Sequence, residues 1–265
     1  MRALLPGLAL CLAGCPPVLD DVAPQPRPEF IFKHAHNDYE HPRPLLDALE
    51  QGFESVEADV WLDGEAIGVS HTGAPFKGTL DALYLQPLAE RVAQRGSVHG
   101  DGRPFTLWLD LKQGSPALQD LLVGALAARD YLTTFDDDGV LQQRAVTVLL
   151  TGHDAAKKAM VARASPRPYA RDSNDYRPDD APADGRWRAY ALNTPAFLSW
   201  SGLGELPPAQ RRQLENLVHG AHAKGRQLRL YANPDTEAYW QAAREAGVDF
   251  VNTDDLRGLA EAFAE

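Results

Sequence analysis

The segment Ser55–Leu62, with the sequence SVEADVWL, decides the fold of this chain of 265 residues. Successive side chains of a β-strand point to opposite faces, so residues two apart share a face. The alternate residues of this segment from Val56 onward are all apolar, whereas Glu57 and Asp59 lie on the other face. We expect the apolar face to pack against helices and the acidic face to point into a barrel.

Two further strands carry polar pairs at the same spacing. Phe105–Lys112 places Asp110 and Lys112 on one face and three leucines on the other, and His34 and His36 share a face of the first strand. Each pair lies toward the C-terminal end of its strand, where the active sites of α/β barrels are built. The three strands therefore predict one polar site.

Apolar runs and helical patterns alternate about eight times along the chain. The runs predict strands at Phe30–Asn37, Ser55–Leu62, Phe105–Lys112, Ala145–Gly152, Pro168–Ser173, Tyr190–Phe197, Gln227–Pro234 and Asp249–Asp254. Helical patterns such as Leu80–Arg95 and Pro208–Lys224 separate them. Repeated β–α units predict a parallel sheet, and eight of them favour a closed (β/α)₈ barrel with a single domain.

The N-terminal region has the pattern of an export signal. Residues 1–14 join Arg2 to an apolar run that is too short to span a bilayer and that fits a signal peptide. The sequence LAGC at 12–15 resembles a bacterial lipobox, which predicts a lipidated Cys15 and a proline-rich tether over 15–28, with the barrel at 29–265. We therefore expect a protein of the bacterial cell envelope, exported and anchored to the membrane at Cys15, or otherwise secreted or periplasmic.

Composition excludes two classes of protein. The formal net charge is −11, and so acidic a surface repels phosphate backbones, which excludes nucleic acid as a main partner. The two cysteines both lie within the first fifteen residues, so the chain is not a small disulfide-stapled fold.

The acidic residues at the strand ends predict a metal site. Glu57, Asp59 and Asp110 supply hard oxygen ligands, which suit one divalent cation, Mg²⁺ in preference to Ca²⁺. The alternative is a structural ion network in which these carboxylates pair with Lys112 and arginines. His34 and His71, which follows a short apolar segment, can serve as general base and general acid near neutral pH.

The sequence resembles the phospholipase-C-like phosphodiesterase superfamily. The motifs that carry the resemblance are HAHNDY at 34–39, VEADVWL at 56–62 and LDLK at 109–112. The branch of the altered inheritance of mitochondria protein 6 is most similar, through SWSGLG at 199–204, LYANPD at 230–235 and AGVDFVNTDD at 246–255. The resemblance covers roughly residues 30–260 and includes glycerophosphodiester phosphodiesterase and phosphatidylinositol-specific phospholipase C types.

The resemblance implies a metal-dependent phosphoric diester hydrolase with a (β/α)₈ barrel that acts on a glycerophosphodiester or phospholipid-like substrate. It implies catalytic roles for His34, His71 and Lys112, and metal binding by the three carboxylates. Two departures leave the substrate open: the usual histidine–arginine–glycine triplet is HAH at 34–36, and Thr72 follows His71 where an aspartate is usual.

Further residues are candidates for contacts with the substrate or with the catalytic groups. They are His36, Asn37, Trp200, Tyr231 and Asn233. The expected partners are a phosphodiester small molecule or lipid head group, and a membrane through the N-terminal lipid. Two alternatives stay open: a metal-dependent amidohydrolase-type barrel, which also uses a His-x-His pair on strand one, and a non-catalytic, lipid-anchored envelope protein.

Overall fold

Eight parallel strands close on themselves in the computed structural model, which describes Ala23, Pro28 and residues 30–264. The predicted signal peptide at 1–14, Cys15 and the rest of the predicted tether lie outside the described residues. Among the described residues, no helix is long and apolar enough to cross a membrane.

The strands follow one another along the chain with helices between most of them. The strands are β1 (Phe32–Ala35), β2 (Ser55–Asp63), β3 (Ala66–Val69), β4 (Gly78–Thr79), β5 (Phe105–Leu111), β6 (Thr134–Phe135), β7 (Val140–Gln142), β8 (Val146–Gly152), β9 (Ala170–Ser173), β10 (Trp187–Asn193), β11 (Gln227–Tyr231) and β12 (Phe250–Thr253). The helices are α1 (Leu46–Glu50), α2 (Gln86–Arg95), α3 (Pro116–Ala127), α4 (Asp154–Val161), α5 (Pro208–Ala223), α6 (Glu237–Ala246) and α7 (Leu256–Ala262).

The order of the strands around the barrel is β1, β2, β5, β8, β9, β10, β11, β12, and β1 pairs with both β2 and β12. All eight neighbouring pairs in this ring are parallel. The predicted (β/α)₈ barrel is therefore confirmed. Each of the eight predicted strand segments overlaps one barrel strand.

Two hairpin extensions were not predicted from the sequence. Strands β3 and β4 continue the sheet from β2 in antiparallel pairing, and β6 and β7 form a separate two-stranded sheet. The predicted helix Leu80–Arg95 begins as a π-helical turn at Asp81–Leu85 before α2. The predicted strand Tyr190–Phe197 is observed from Trp187 to Asn193, and it ends there because Thr194–Ala196 forms a 3₁₀ turn that contains Pro195.

The barrel interior below the mouth is filled by aromatic side chains. Phe32 stacks on Phe250 with ring centroids 4.9 Å apart, and Trp108 packs edge-on against Phe250 at 5.2 Å. The outward faces of the strands pack against the helices in one large apolar cluster. The polar residues near the C-terminal ends of the strands therefore lie above an apolar layer.

Helix ends are fixed by side chains of the kind that favour them. Ser115 accepts a hydrogen bond from the Leu118 amide at the start of α3, and Thr236 accepts one from the Tyr239 amide at the start of α6. Gly247 ends α6 with φ at +87°, a conformation that side chains disfavour. These caps hold the loops between helices and strands in register with the barrel.

Candidate active site

Three carboxylates meet at the mouth of the barrel, as the sequence predicted. One ligand oxygen each from Glu57, Asp59 and Asp110 lies within 4.8 Å of the others. Glu57 and Asp59 point inward from β2, and Asp110 lies opposite Asp59 in the register of β5. The arrangement follows from the alternation of strand side chains, since residues two apart on β2 share its inner face.

Asp59 is the most constrained of the three carboxylates. Its Oδ2 accepts a hydrogen bond from the Tyr39 hydroxyl at 2.7 Å and lies 2.8 Å from the Lys112 ammonium and 3.2 Å from Nδ1 of His71. Its Oδ1 is buried and has no partner among the described residues. Burial, together with the nearby Glu57 and Asp110 carboxylates, raises the pKa of Asp59 to about 6. A cation bound at Oδ1 would relieve both the desolvation and the repulsion.

Glu57 forms a bidentate ion pair with Arg229 of β11. The two guanidinium nitrogens donate to its two carboxylate oxygens at 2.8 and 2.7 Å, and both side chains are buried. Burial alone would raise the pKa of Glu57, but the Arg229 charge and hydrogen bonds outweigh it and hold the pKa below its usual range. Arg229 also donates from Nε to Asn252 at 3.0 Å and lies 5.1 Å from the Trp108 ring centroid.

Lys112 balances the other two carboxylates. Its ammonium lies 2.9 Å from Oδ2 of Asp110 and 2.8 Å from Oδ2 of Asp59. Three carboxylates, Lys112 and Arg229 together carry one net negative charge (three negative against two positive). A divalent cation would reverse this sign to one net positive charge, which favours binding of a phosphate group.

Gly152, at the end of β8, leaves space for Asp110. A Cβ atom at this position would collide with Oδ1 of Asp110 and with the Leu111 carbonyl oxygen. The φ of Gly152 is +80°, which also disfavours any side chain. The last residue of β8 is thus small because a carboxylate of the neighbouring strand occupies the place of its side chain.

The donor set fits a hard divalent cation. All three candidate ligands are carboxylates, which Mg²⁺ and Ca²⁺ prefer, and the described chain places no thiolate beside them. The unpartnered Oδ1 of Asp59 supplies a free ligand atom in a buried place. The glycine at 152 keeps Oδ1 of Asp110 unobstructed. The residues present therefore fit the predicted metal site.

His34 of β1 and His36, which directly follows β1, lie at different depths. His36 lines a cavity of about 270 Å³ at the mouth, with Nδ1 2.8 Å from Oδ1 of Asp254 and Nε2 3.6 Å from Oε2 of Glu57. His34 lies one layer lower and is fully buried, with Nδ1 2.8 Å from the Ser55 hydroxyl and with Nε2 lacking a partner among the described residues. His36, rather than His34, therefore faces the cavity.

Burial separates the two imidazoles further. Burial and the Arg229 charge lower the pKa of His34, which keeps its ring neutral. Burial would also lower the pKa of His36, but the hydrogen bond to Asp254 and the Glu57 charge outweigh it and raise the pKa. The sequence placed the two rings on one face but had no means to rank their depth.

His71 reaches the site from the loop after β3. Its side chain is 59% exposed, and Nδ1 lies 3.2 Å from Asp59 and 3.4 Å from the Tyr39 hydroxyl. Oδ1 of Asn37 lies 2.9 Å from the same hydroxyl, and the Asn37 amide nitrogen lies 3.4 Å from Nδ1 of His36. Tyr39 and Asn37 thus connect the two imidazoles that face the mouth.

Of the remaining candidate residues, one lines the cavity and two do not. Tyr231 lines the cavity. Trp200 and Asn233 do not: the Trp200 ring stacks on Tyr239, and the Asn233 amide donates to the Asn252 carbonyl oxygen at 3.0 Å. Trp200 packs against α6 through Tyr239 and donates from its indole to the Leu203 carbonyl oxygen, and its expected role near the substrate stays a prediction.

Four cavity residues were missed from the sequence. They are Arg229, Thr151, Gly152 and Asn174. The alternation in β11, where Gln227, Arg229 and Tyr231 interleave with two leucines, was the signal that could have placed Arg229 inside the barrel. Thr151 carries the same signal in β8, and Asn174, just after β9, carries none.

The geometry defines an α/β-barrel protein with a polar, carboxylate-rich mouth, and comparison with known proteins identifies its family. The AIM6-like phosphodiesterase domain matches residues 21–170, which is more than half of the chain. The chain therefore belongs to the AIM6-like phosphodiesterase domain family.

Relatives found by sequence include fungal proteins named altered inheritance of mitochondria protein 6. The one from Eremothecium gossypii is 28% identical over 98% of this chain and 77% of its own length. The one from Zygosaccharomyces rouxii is 28% identical over 84% of this chain and 67% of its own length. The predicted resemblance to this branch is thereby confirmed.

A solved structure shares the fold. The crystal structure of glycerophosphodiester phosphodiesterase from Agrobacterium tumefaciens aligns with a TM-score of 0.52 and 15% sequence identity, over 88% of this chain and 99% of that chain. At this identity the likeness concerns the fold, and it agrees with the closed barrel described above.

The comparison corrects the expected location. The sequence predicted a bacterial envelope protein anchored at Cys15, but the matching curated relatives are eukaryotic yeast proteins. The assignment to a bacterial envelope is wrong, because four lipobox-like residues are too short a match to show a bacterial origin. Cys15 itself lies outside the described residues.

Proposed function

We propose that the chain is a metal-dependent phosphoric diester hydrolase that acts on a glycerophosphodiester or phospholipid-like substrate. The observation that carries the proposal is the cluster of Glu57, Asp59 and Asp110, with a free buried oxygen on Asp59, beside a small cavity that His36 lines and close to His71, which contacts Asp59. Membership of a family described as a phosphodiesterase domain supports the same chemistry.

Glu57, Asp59 and Asp110 would hold the cation, and we favour Mg²⁺ over Ca²⁺. Mg²⁺ is commonly bound by few carboxylates together with waters and substrate phosphate, whereas Ca²⁺ takes six to eight oxygen ligands. When bound, such a cation neutralises a nonbridging phosphate oxygen and orients the diester.

Arg229 and Lys112 supply fixed positive charge next to the phosphate. Arg229 lines the cavity, and because its paired guanidinium nitrogens already donate to Glu57, it would contribute its positive charge and a remaining N–H donor to a phosphate. Lys112 is held at Asp59 and Asp110, so it needs little reorganisation to stabilise the charge that develops on the transferring group.

Two imidazoles carry the proton transfers. One removes the proton of the nucleophile, which is water or a neighbouring hydroxyl of the substrate, and the other protonates the leaving alkoxide. We assign these roles to His36 and His71, because both reach the mouth. The buried His34, to which the resemblance gave a catalytic role, would support the ring of His36 from below.

Measured rates of phosphodiester cleavage with added Mg²⁺ test this assignment. His36→Ala and His71→Ala are each expected to lower kcat by about 10²- to 10⁴-fold, the usual contribution of one acid or base. His219→Ala, on the outer helix α5, is the matched control and is expected to retain activity. Glu57→Ala is expected to abolish the response to Mg²⁺.

The variant His34→Ala tests whether His34 or His36 is the catalytic histidine. If it loses as much kcat as His36→Ala while it melts at the wild-type temperature, His34 acts in catalysis and our choice of His36 is wrong. Full activity in both His36→Ala and Glu57→Ala would refute the proposed site as a whole.

The amidohydrolase alternative finds less support in the barrel strands. Enzymes of that type bind their metal through additional histidines on later strands, whereas β8 to β12 in the described chain contain no histidine. Zinc-dependent amide hydrolysis without phosphodiester cleavage would favour that alternative.

A further inference from the structure

A second cavity, here called the lower cavity, lies at the end of the barrel opposite to the carboxylates. Its volume is about 600 Å³, compared with about 270 Å³ for the cavity at the mouth. It is lined by Thr106, Thr147 and Gln227, which lie at the starts of β5, β8 and β11. Asp110 and Tyr231 of the mouth lie at the far ends of β5 and β11. The lower cavity is therefore separate from the proposed active site.

An aromatic layer lies between the two cavities. Phe32 lines the lower cavity and stacks on Phe250 with ring centroids 4.9 Å apart, and Trp108 packs edge-on against Phe250. The exposed fractions of these three residues are at most 6%. Because these rings fill the barrel between its two ends, a small ligand in the lower cavity does not contact the residues of the mouth.

The lining of the lower cavity is positively charged. Its cationic residues are Arg103, Arg144 and Arg188. One carboxylate, Asp249, lines the cavity as well, and its Oδ2 already lies 2.8 Å from Nε2 of His222 and 2.8 Å from the Leu228 amide nitrogen. The lining carries two net positive charges (three positive against one negative), although the formal net charge of the chain is −11. Such a local reversal of sign favours an anionic ligand.

Arg188 lacks a counter-ion in a half-buried position. It is the second residue of β10, and no carboxylate oxygen among the described residues lies within 4 Å of its guanidinium nitrogens. Burial and the charge of Arg226 lower the pKa of Arg188, and the charge of Asp184 only partly offsets them. Burying a charge without a partner is costly, so an anion next to Arg188 would stabilise it.

Arg226 is a second cation without an acidic partner beside this cavity. It is 2% exposed, and its guanidinium carbon lies 3.6 Å from the centroid of the Trp187 ring. It donates to the carbonyl oxygens of Ala181 and Pro182 at 2.7 and 3.2 Å. These contacts satisfy hydrogen bonds of the guanidinium but leave its charge uncompensated. Arg226 therefore adds to the positive potential around Arg188.

The other two arginines keep their hydrogen-bond donors available. Both are exposed, and no carboxylate oxygen within the described part of the chain lies within 4 Å of the Arg144 guanidinium. The guanidinium of Arg103 has carboxylate oxygens at 3.7 and 3.9 Å, which are too distant for hydrogen bonds. It also lies 5.9 Å from the centroid of the Phe30 ring, which lines the cavity. Both side chains can therefore reach an anion that Arg188 binds.

We propose that Arg103, Arg144 and Arg188 bind the phosphate group of a small organic phosphate in the lower cavity. A planar guanidinium donates two parallel hydrogen bonds to phosphate oxygens, which makes arginine well suited to this group. A volume of about 600 Å³ lies in the usual range for small-molecule sites and exceeds what a phosphate alone would fill. Phe30 and Gln227 would then contact the organic part. The site uses no residue of the mouth, so it does not rest on the proposed function.

Calorimetric titration of the full chain with sn-glycerol 3-phosphate tests this site. The buffer contains EDTA, so that the mouth holds no divalent cation and its net negative charge repels phosphate. We expect one binding site per chain. Inorganic phosphate, titrated in the same buffer, distinguishes the source of the phosphate group. Weaker binding of inorganic phosphate supports an organic phosphate, whereas equal or tighter binding would overturn that part of the proposal and leave a site for the free ion.

Variants of the arginines then locate the bound phosphate. Arg188→Met and Arg144→Met are each expected to raise Kd about tenfold or more, because each removes charged hydrogen bonds to the phosphate. Arg188→Lys keeps the charge without the planar fork and should raise Kd less. Arg211→Met is the matched control, since Arg211 is an exposed arginine of α5 that lies 3.1 Å from Glu245, and it should keep the wild-type Kd.

Three results would overturn the site. They are the absence of binding with both phosphates, an unchanged Kd in Arg144→Met and Arg188→Met, and a Kd that rises in Lys112→Met but not in Arg188→Met. The last result would show that phosphate binds at the mouth. If Arg188→Met does not fold, Arg144→Met decides, because Arg144 is exposed. Phosphodiester cleavage is measured separately, so its failure would leave the lower cavity untouched.

Discussion

The ion pair between Glu57 and Arg229 allows a quantitative test of how the barrel mouth is stabilised. Both side chains are at most 4% exposed, and their two hydrogen bonds are 2.7 and 2.8 Å long. Removal of one partner from such a pair leaves a buried charge and typically costs about 3 to 5 kcal/mol. An effective dielectric constant of about 20 gives a similar value, about 4 kcal/mol for unit charges about 4 Å apart.

The variants Arg229→Met and Glu57→Gln each leave one charge without its partner. In EDTA, so that no cation replaces Arg229, each should lower the free energy of unfolding by about 3 to 5 kcal/mol. For a domain of this size that loss corresponds to a fall in Tm of roughly 6 to 20 °C. The double variant should cost much less than the sum of the two, because it leaves no unpaired charge.

A surface pair serves as the control. Arg211→Met removes an exposed arginine that lies 3.1 Å from Glu245, and it should change stability by no more than about 0.5 kcal/mol. Losses below about 1 kcal/mol in both single variants, or full additivity in the double variant, would refute the view that the two charges depend on each other.

Three further predictions concern the residues around the site. Burial raises the pKa of Asp38 to about 7 from 3.8, so the charged form destabilises the fold by up to about 4 kcal/mol. This penalty is absent below about pH 4, grows as the pH rises and is complete above about pH 7. Asp38→Asn should therefore stabilise the protein at pH 8 and leave it unchanged at pH 4 in urea unfolding, and an equal effect at both would contradict the assignment. Gly152→Ala should displace Asp110 and weaken Mg²⁺ binding in calorimetry at least tenfold, whereas wild-type affinity would show that the carboxylate does not need this space. Mg²⁺ at a concentration a hundredfold above its Kd should raise the free energy of unfolding of the wild-type protein by about 2.7 kcal/mol, and that of the Asp59→Asn variant much less. Equal stabilisation of both proteins would show that the cation binds elsewhere.

The strands and the carboxylate cluster were predictable because they depend on local patterns. The alternation in Ser55–Leu62 and Phe105–Lys112 determines which side chains face the barrel, and the parallel register then brings Asp59 opposite Asp110. The eightfold β–α alternation sets the closed barrel. None of these inferences needs information on residues distant in sequence beyond the order of the strands.

Two other features were not predictable from local patterns: how deep a side chain lies in the barrel, and which residue it contacts across the barrel. His34 and His36 share a face, and only the stagger between β1 and its neighbours decides which of them reaches the cavity. Arg229 meets Glu57 across 172 residues of chain, which requires the barrel to be closed before the contact exists. The position of Trp200 depends on a loop whose packing against Tyr239 leaves no periodic pattern.

The long separation between Glu57 and Arg229 also bears on the order in which the protein is made. During synthesis, β2 and β5 leave the ribosome with three clustered carboxylates and Lys112, while β11 is still to be translated. The three carboxylates and Lys112 carry two net negative charges, so these strand ends repel one another until Arg229 is made. Arg229 lowers this to one net negative charge in the last quarter of translation, and we expect a nascent chain that stalls earlier to be more open to chaperones and proteases.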